Sequence, residues 1–198
     1  IPLHAKQSFP LCMSNTYEHL IKNSHCRHGA RMQFGLFLKG IGLSLEEALK
    51  FWAKAFSKKY DANKFEKNYA YNIRHNYGKE GKRANYTPYS CNKIISGQAG
   101  EAHGCPFKHY EETKLRKTLR MKKINDNNIK DIIDLVNGKH YQVACSRYFN
   151  FTHEGNDPDD AVIGIAHPNK YFESSTRFWK NKTEKEGTSD TKVVPNPY

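Results

Sequence analysis

With 198 residues, 37% hydrophobic and 13% aromatic, the chain has enough ring area to fold as one domain, or two small lobes sharing a core, under a very polar exterior. Thirty-two Lys and Arg against 20 Asp and Glu leave a formal charge of +12, which favours polyanions, nucleic acid before anionic membrane. No apolar run approaches the ~20 residues that span a bilayer, IPLHAKQSFP lacks the regions of a signal peptide, and five scattered cysteines argue against a secreted disulfide scaffold.

In chain order, residues 14–24 read as a helix, and 30–39 as a second after a break at Gly29. Ser44 and Glu47 have capping-box spacing ahead of a stripe made by Leu45, Leu49, Trp52 and Phe56. Residues 62–76 continue helically, with Phe65, Tyr69 and Ile73 on one face. GKEGKR (78–83) reads as a basic loop, and Pro88, Gly97, Gly100, Gly104 and Pro106 punctuate an irregular stretch. Helices return at 110–121, at 128–137 after a cap-favouring Asn127, and at 139–152. AVIGIAH (161–167) suits a short strand, and the residues from Asn181 onward suit a solvated tail. The expected class is mainly α with a small β-hairpin or short-strand element. Its single domain is expected over 1–180, with helical lobes of about 14–77 and 85–175 and a flexible tail over 181–198. Because the chain opens on Ile1, it reads as a piece of something longer.

The charge is unevenly placed. From His19 to Leu45 there is no acidic residue, while Lys22, Arg27, Arg31 and Lys39 stand among His19, His25 and His28. From Lys67 to Gly100 six Lys or Arg face one acid, Glu80, and Tyr69, Tyr71, Tyr77, Tyr86 and Tyr89 are interleaved. Cations neutralise phosphates and rings stack on unpaired bases, so both stretches suit nucleic acid. The plainer reading is a core tyrosine at 69 and solvated lysine-rich faces.

No C-x2-C pair announces a local zinc site. Cys12, Cys91, Cys105 and Cys145 are separated by 78, 13 and 39 residues, so only the tertiary fold could gather them. Cys105 precedes a proline in HGCPF, as the last cysteine of bacterial ferredoxin runs does. Four thiolates suffice for a [4Fe–4S] cluster or for zinc, and spacing does not choose between them. The alternative is that each cysteine is a small buried hydrophobe, above all Cys145, which lies on an apolar helical face.

Taken together, FPLCM (9–13), RHGARMQFGLFLKGIGLSLEEAL (27–49), YAYNIRHNYGKEGKRANYTPYSC (69–91), GEAHGCPFKH (100–109) and HYQVAC (140–145) closely resemble, in order, the C-terminal iron–sulfur domain of the eukaryotic DNA primase large subunit, in a fungal-like form. The resemblance implies helical lobes joined around a [4Fe–4S] cluster held by Cys12, Cys91, Cys105 and Cys145. Cys26 is then a free thiol, exposed to oxidation within a basic stretch. It further implies a non-catalytic domain that binds the template DNA and the 5′-triphosphate of an RNA primer. His25, Arg27, His28, Arg31 and Lys39 would take the triphosphate, and Tyr69, Tyr71, Asn72 and Arg74 the template. The implied partners are the catalytic small subunit and DNA polymerase alpha, in the nucleus and away from membranes. Where relatives carry Tyr, this chain has Phe34, which removes a hydroxyl from any electron relay through that position.

No strand-borne set of acids suits two-metal nucleotidyl transfer: Asp157, Asp159 and Asp160 fall in a Pro-containing loop, and Asp131 and Asp134 have helix-surface spacing. No Walker-type loop occurs. No catalytic site is therefore expected in this chain. Two rival readings share its features: a redox-switched electron-transfer protein, and a zinc-stabilised single-strand-binding module.

Overall fold

The computed structural model describes residues 1–153 and 164–189, and among these the regular structure is entirely helical. A short α1 (Pro2–Gln7) leads into α2 (Leu11–Asn23), which stops at Ser24 in the left-handed region. Helix α3 (His28–Gly40) follows after Arg27. Gly29 does not break it. It lies in the first turn, where a Cβ would come within 2.4 Å of His103 Nε2, so only glycine lets that ring close on the helix.

Helix α4 (Leu45–Phe56) begins as its sequence dictates. The Ser44 hydroxyl accepts from the Glu47 amide at 3.2 Å, and the Glu47 carboxylate accepts from the Ser44 amide at 3.0 Å. Its inner face then buries Ala48, Trp52 and Phe56. Burial of one such ring contributes about 1.5–3 kcal/mol.

The expected single helix over 62–76 is three pieces: α5 (Ala62–Phe65), a π-helical turn over Glu66–Ala70, and α6 (Tyr71–Asn76). Two short helices, α7 (Cys91–Ser96) and α8 (Pro106–His109), punctuate the irregular middle. Helices α9 (Glu112–Met121), α10 (Asp126–Asn137) and α11 (Tyr141–Thr152) pack in sequence. The cap of α10 is Asn125, whose side chain accepts from the Asn128 amide at 2.9 Å, and not Asn127, which lies inside the helix.

Helix α12 (Pro168–Ser189) returns to pack on α3 and continues through the first part of the segment expected to be a tail. Of AVIGIAH, residues 161–163 fall outside the described residues and 164–167 have no regular structure. The short strand is therefore not seen among the described residues. Asp157, Asp159 and Asp160 also lie outside them.

Buried side chains gather in two clusters. One holds Phe9, Phe34, Phe37, Trp52 and Phe56, with Phe34 fully enclosed and its ring edge-on to Phe9 and Trp52. The other holds Leu115, Leu119, Ile129, Ile132, Ile133, Phe149 and Tyr171. The chain crosses between them at its start, where Phe9 enters the first cluster and Leu11 the second. Cys105 packs against both. No helix among the described residues is long and apolar enough to cross a membrane.

Candidate metal centre and nucleic-acid interface

The seam between the two clusters contains a cavity whose empty space, counted out to its mouth, is about 400 Å³. Cys12, Cys91, Cys105 and Cys145 all line it. Cys12 lies in the first turn of α2, Cys91 opens α7, Cys105 caps α8 and Cys145 comes from the middle of α11. The α7 end is pinned by the Cys91 amide, which donates to the Ala166 carbonyl at 3.0 Å. The remaining wall is apolar: Pro10, Ile94, Ile95, Phe107 and Ile165 take part in it.

Burial pushes all four thiols up, Cys91 to about 12. The thiols also raise one another, and Cys145 feels each of the other three. Four thiols around one cavity, with no carboxylate or imidazole in the wall, are a soft donor set of the kind that Fe–S clusters and zinc take. Bound positive charge reverses the effect of burial, because it holds thiolates that would otherwise stay protonated. Among the described residues no three His, Cys, Asp or Glu side chains are arranged to hold a single ion. The thiols ring a cavity instead of meeting at one point. Cys26 is not among them: its thiol is fully buried in the aromatic cluster and pushed up to about 12 by that burial. The expected oxidation risk is therefore not met, since a buried, protonated thiol is inert.

The cationic stretches fold into two groups. At the start of α3, Arg27 is the N-cap residue with no side-chain cap bond, and Arg27 and His28 are exposed. Arg31 is half-buried over the Tyr69 ring, 5.1 Å from its centroid. Its guanidinium donates to the Cys26 carbonyl at 2.7 Å and reaches Asn72 Oδ1 at 3.4 Å. Neither Arg27 nor Arg31 has a carboxylate partner among the described residues. His25 packs beside Phe56, Tyr60 and Tyr69, and burial, then Lys59 and Arg31, hold it below the usual imidazole range. His25, Arg27, His28, Arg31, Tyr69 and Asn72 are thus brought to one place.

Lys39 is not brought there. It sits at the other end of α3, roughly 18 Å along the axis at 1.5 Å per residue. Its ammonium donates to the Asn76 carbonyl at 2.7 Å, the Tyr86 carbonyl at 2.8 Å and the Asn85 side chain at 2.5 Å. Arg74 is spoken for as well, paired with Glu66 and with Glu80 at 2.7 Å each. Tyr69 turns inward, held up to about 12 by burial and by its hydroxyl's bond to Tyr60, whereas Tyr71 is 52% exposed.

Sequence reading missed Lys59, Tyr60 and His103. The first two lie just beyond the end of α4 and reach His25 only through the fold. His103, clasped between Gly29 and Gly100, carries no local signal beyond the two glycines.

A helical domain with a four-thiol cavity at its seam and a cationic, ring-lined face defines the class. Residues 3–172 match the family described as the C-terminal domain of the large subunit of eukaryotic and archaeal DNA primase. The chain belongs to that family. It is 51% identical over 182 residues to the DNA primase large subunit of Homo sapiens, covering 90% of this chain and 35% of that protein. It is 49% identical over 181 residues to the probable DNA primase large subunit of Arabidopsis thaliana, covering 90% and 39%. It is 43% identical over 189 residues to the DNA primase large subunit of Saccharomyces cerevisiae, covering 90% and 36%. The chain thus spans between a third and two-fifths of the length of these relatives.

Proposed function

We propose that this chain grips the template–primer junction of a primase at work in DNA replication in the nucleus, holding the 5′-triphosphate of the RNA primer at the start of α3. Nucleotidyl transfer then belongs to the small subunit, with DNA polymerase alpha as the further partner. The observation that carries this reading is the start of α3, where neither Arg27 nor Arg31 is paired with a carboxylate among the described residues. An uncapped helix N-terminus offers free amides and a positive dipole end, and two arginines and two histidines stand around it. A triphosphate needs several converging cations, and guanidinium forks match its oxygens two at a time. Arg31 is held ready by the Cys26 carbonyl and the Tyr69 ring, so little side-chain freedom is lost on binding.

The four cysteines are assigned to a [4Fe–4S] cluster. When bound, such a group supplies four metal–thiolate bonds that tie the ends of α2, α7 and α8 to α11, and a centre able to exchange an electron. The protein's own part is to supply the thiolates and to surround them with proline, isoleucine and phenylalanine that keep water away.

Fluorescence anisotropy on junctions ending in 5′-triphosphate or 5′-hydroxyl tests the reading. Wild-type chain is expected to prefer the triphosphate, and Arg27→Ala with Arg31→Ala to erase the preference. Absence of any preference in the wild type would overturn it.

A further inference from the structure

We infer that Tyr60, in the turn after α4, is a positioning residue for the anion site at the start of α3, acting on Arg31 through the ring of Tyr69. This rests on the triphosphate reading above and names a residue, outside the charged stretches, that sets how strongly a 5′-triphosphate is preferred.

Tyr60 is held in place from both sides. Its amide donates to the Phe56 carbonyl at 3.0 Å, which ties it to the end of α4. The next residue, Asp61, caps α5 by accepting from the Lys64 amide at 2.8 Å. Phe56 is fully buried and anchors the rings around it, with centroids 6.0 Å from Tyr60, 4.8 Å from Tyr69 and 5.8 Å from His25. The Tyr60 ring in turn lies 5.1 Å from Tyr69 at 58° and 6.0 Å from His25 at 53°. It therefore packs against one residue of the anion site directly and against the support of a second.

That support is Tyr69, which lies in the π-helical turn over Glu66–Ala70, an irregularity that helices carry frequently at functional sites. The torsion that turns a tyrosine ring is soft, so packing and the hydroxyl decide where the face points. Here the hydroxyl is bonded to that of Tyr60, and Phe65 lies against the ring at 6.3 Å with planes 29° apart. The ring so fixed carries the Arg31 guanidinium, 5.1 Å from its centroid. A cation gains most over the face of a ring, so turning the ring would loosen the arginine. The guanidinium has five N–H groups. One donates to the Cys26 carbonyl at 2.7 Å and another reaches Asn72 at 3.4 Å, which leaves the rest of the fork for phosphate oxygens. Fixing that fork before the anion arrives removes an ordering cost that binding would otherwise meet. Tyr69, expected on the template path, then serves the triphosphate by supporting Arg31.

The test reads, by fluorescence anisotropy, the ratio of affinities for junctions ending in 5′-triphosphate and in 5′-hydroxyl. Tyr60→Phe keeps the ring and its packing and deletes only the hydroxyl, and thermal melting of each variant reports folding. It is expected to cut the ratio about threefold, within the worth of one hydrogen bond. Tyr69→Phe removes the other half of the same bond, so the two substitutions together should cost no more than either alone. In an Arg31→Ala background Tyr60→Phe should leave the ratio where it is, because no guanidinium remains to be oriented. An unchanged ratio in Tyr60→Phe, equal losses on both ends, or the same loss with and without Arg31 overturns the proposal. A wild-type chain that shows no preference overturns the triphosphate reading itself, and this assignment with it.

Discussion

His103 and Gly29 lie in such close contact that the glycine's missing Cβ would fall 2.4 Å from the imidazole Nε2, while Gly100 approaches the same ring from elsewhere, at 2.3 Å from Cε1 by the same measure. The ring is thereby clasped between the first turn of α3 and the loop that leads to Cys105. On propensity alone Gly29→Ala should stabilise a helix by up to about 1 kcal/mol. Here it is expected to destabilise by about 1–3 kcal/mol, because the ring has a neighbour on each side. In a His103→Ala background the penalty should vanish and the propensity gain reappear. Urea unfolding of the four proteins in the cycle measures the difference.

Acid should loosen the far end of the fold through His153. This ring is 1% exposed, stacked on Phe149 at 4.0 Å, with Nε2 2.7 Å from the Ser175 hydroxyl and Nδ1 2.8 Å from the Phe149 carbonyl. Burial lowers its pKa in spite of the carbonyl. The unfolded chain therefore binds the proton more readily, and stability is full above the unfolded value of about 6.5 and lost as pH falls below it. His25 and His103 shift in the same direction, so the informative quantity is the difference between wild type and His153→Phe. Unfolding between pH 7.5 and 5.0 is expected to show a shallower loss in the variant, at most about 1.4 kcal/mol per pH unit shallower. Parallel curves would sink the assignment.

Removal of the Ser44 hydroxyl should cost about 1 kcal/mol, the ordinary worth of such a cap. Ser44→Ala deletes the acceptor of the Glu47 amide, while Ser44→Gly should cost only tenths. Both are read from denaturant midpoints at constant m.

Anaerobically purified chain should carry about four irons and four sulfides and absorb broadly near 400 nm. Cys91→Ser and Cys145→Ser should each release iron and lower the melting temperature, while Cys26→Ser should keep the iron, since that thiol is packed away from the cavity. One zinc and no iron would replace the cluster assignment and leave the start of α3 untouched.

What the sequence makes legible follows from how local each signal is. The Ser44–Glu47 box and the Ile129, Ile132 and Ile133 triplet act within a turn or two, so α4 and α10 stand out. The short α7 and α8 carry too few periods to be read. Three asparagines at 125, 127 and 128 offer competing caps, and only the geometry of the Asn128 amide selects the first. The polar residues after Asn181 resemble a tail because a solvated helix without an apolar stripe has the same composition.

At the site, the spacing of cysteines says nothing without the fold. Resemblance to the family, by contrast, named the same four thiols that line the cavity. Lys39 misled because a linear cluster of cations hides how far apart the ends of one helix are. The ion pairs of Arg74 were not legible because Glu66 and Glu80, eight residues before it and six after, reach its guanidinium only through the fold.

The position of the four thiols has a consequence for how the domain is made. They face one cavity at the seam of two cores, yet stand far apart in the sequence, with Cys12 in α2 and Cys145 in α11. Closing so long a loop is slow and entropically costly, so the seam should be among the last parts to form. Leu11, next to Cys12, belongs to the second core, so packing of that core is what carries the first thiol to the one on α11. The cavity is thus a late product of folding, complete only once both cores have drawn in the segment from Phe9 to Leu11.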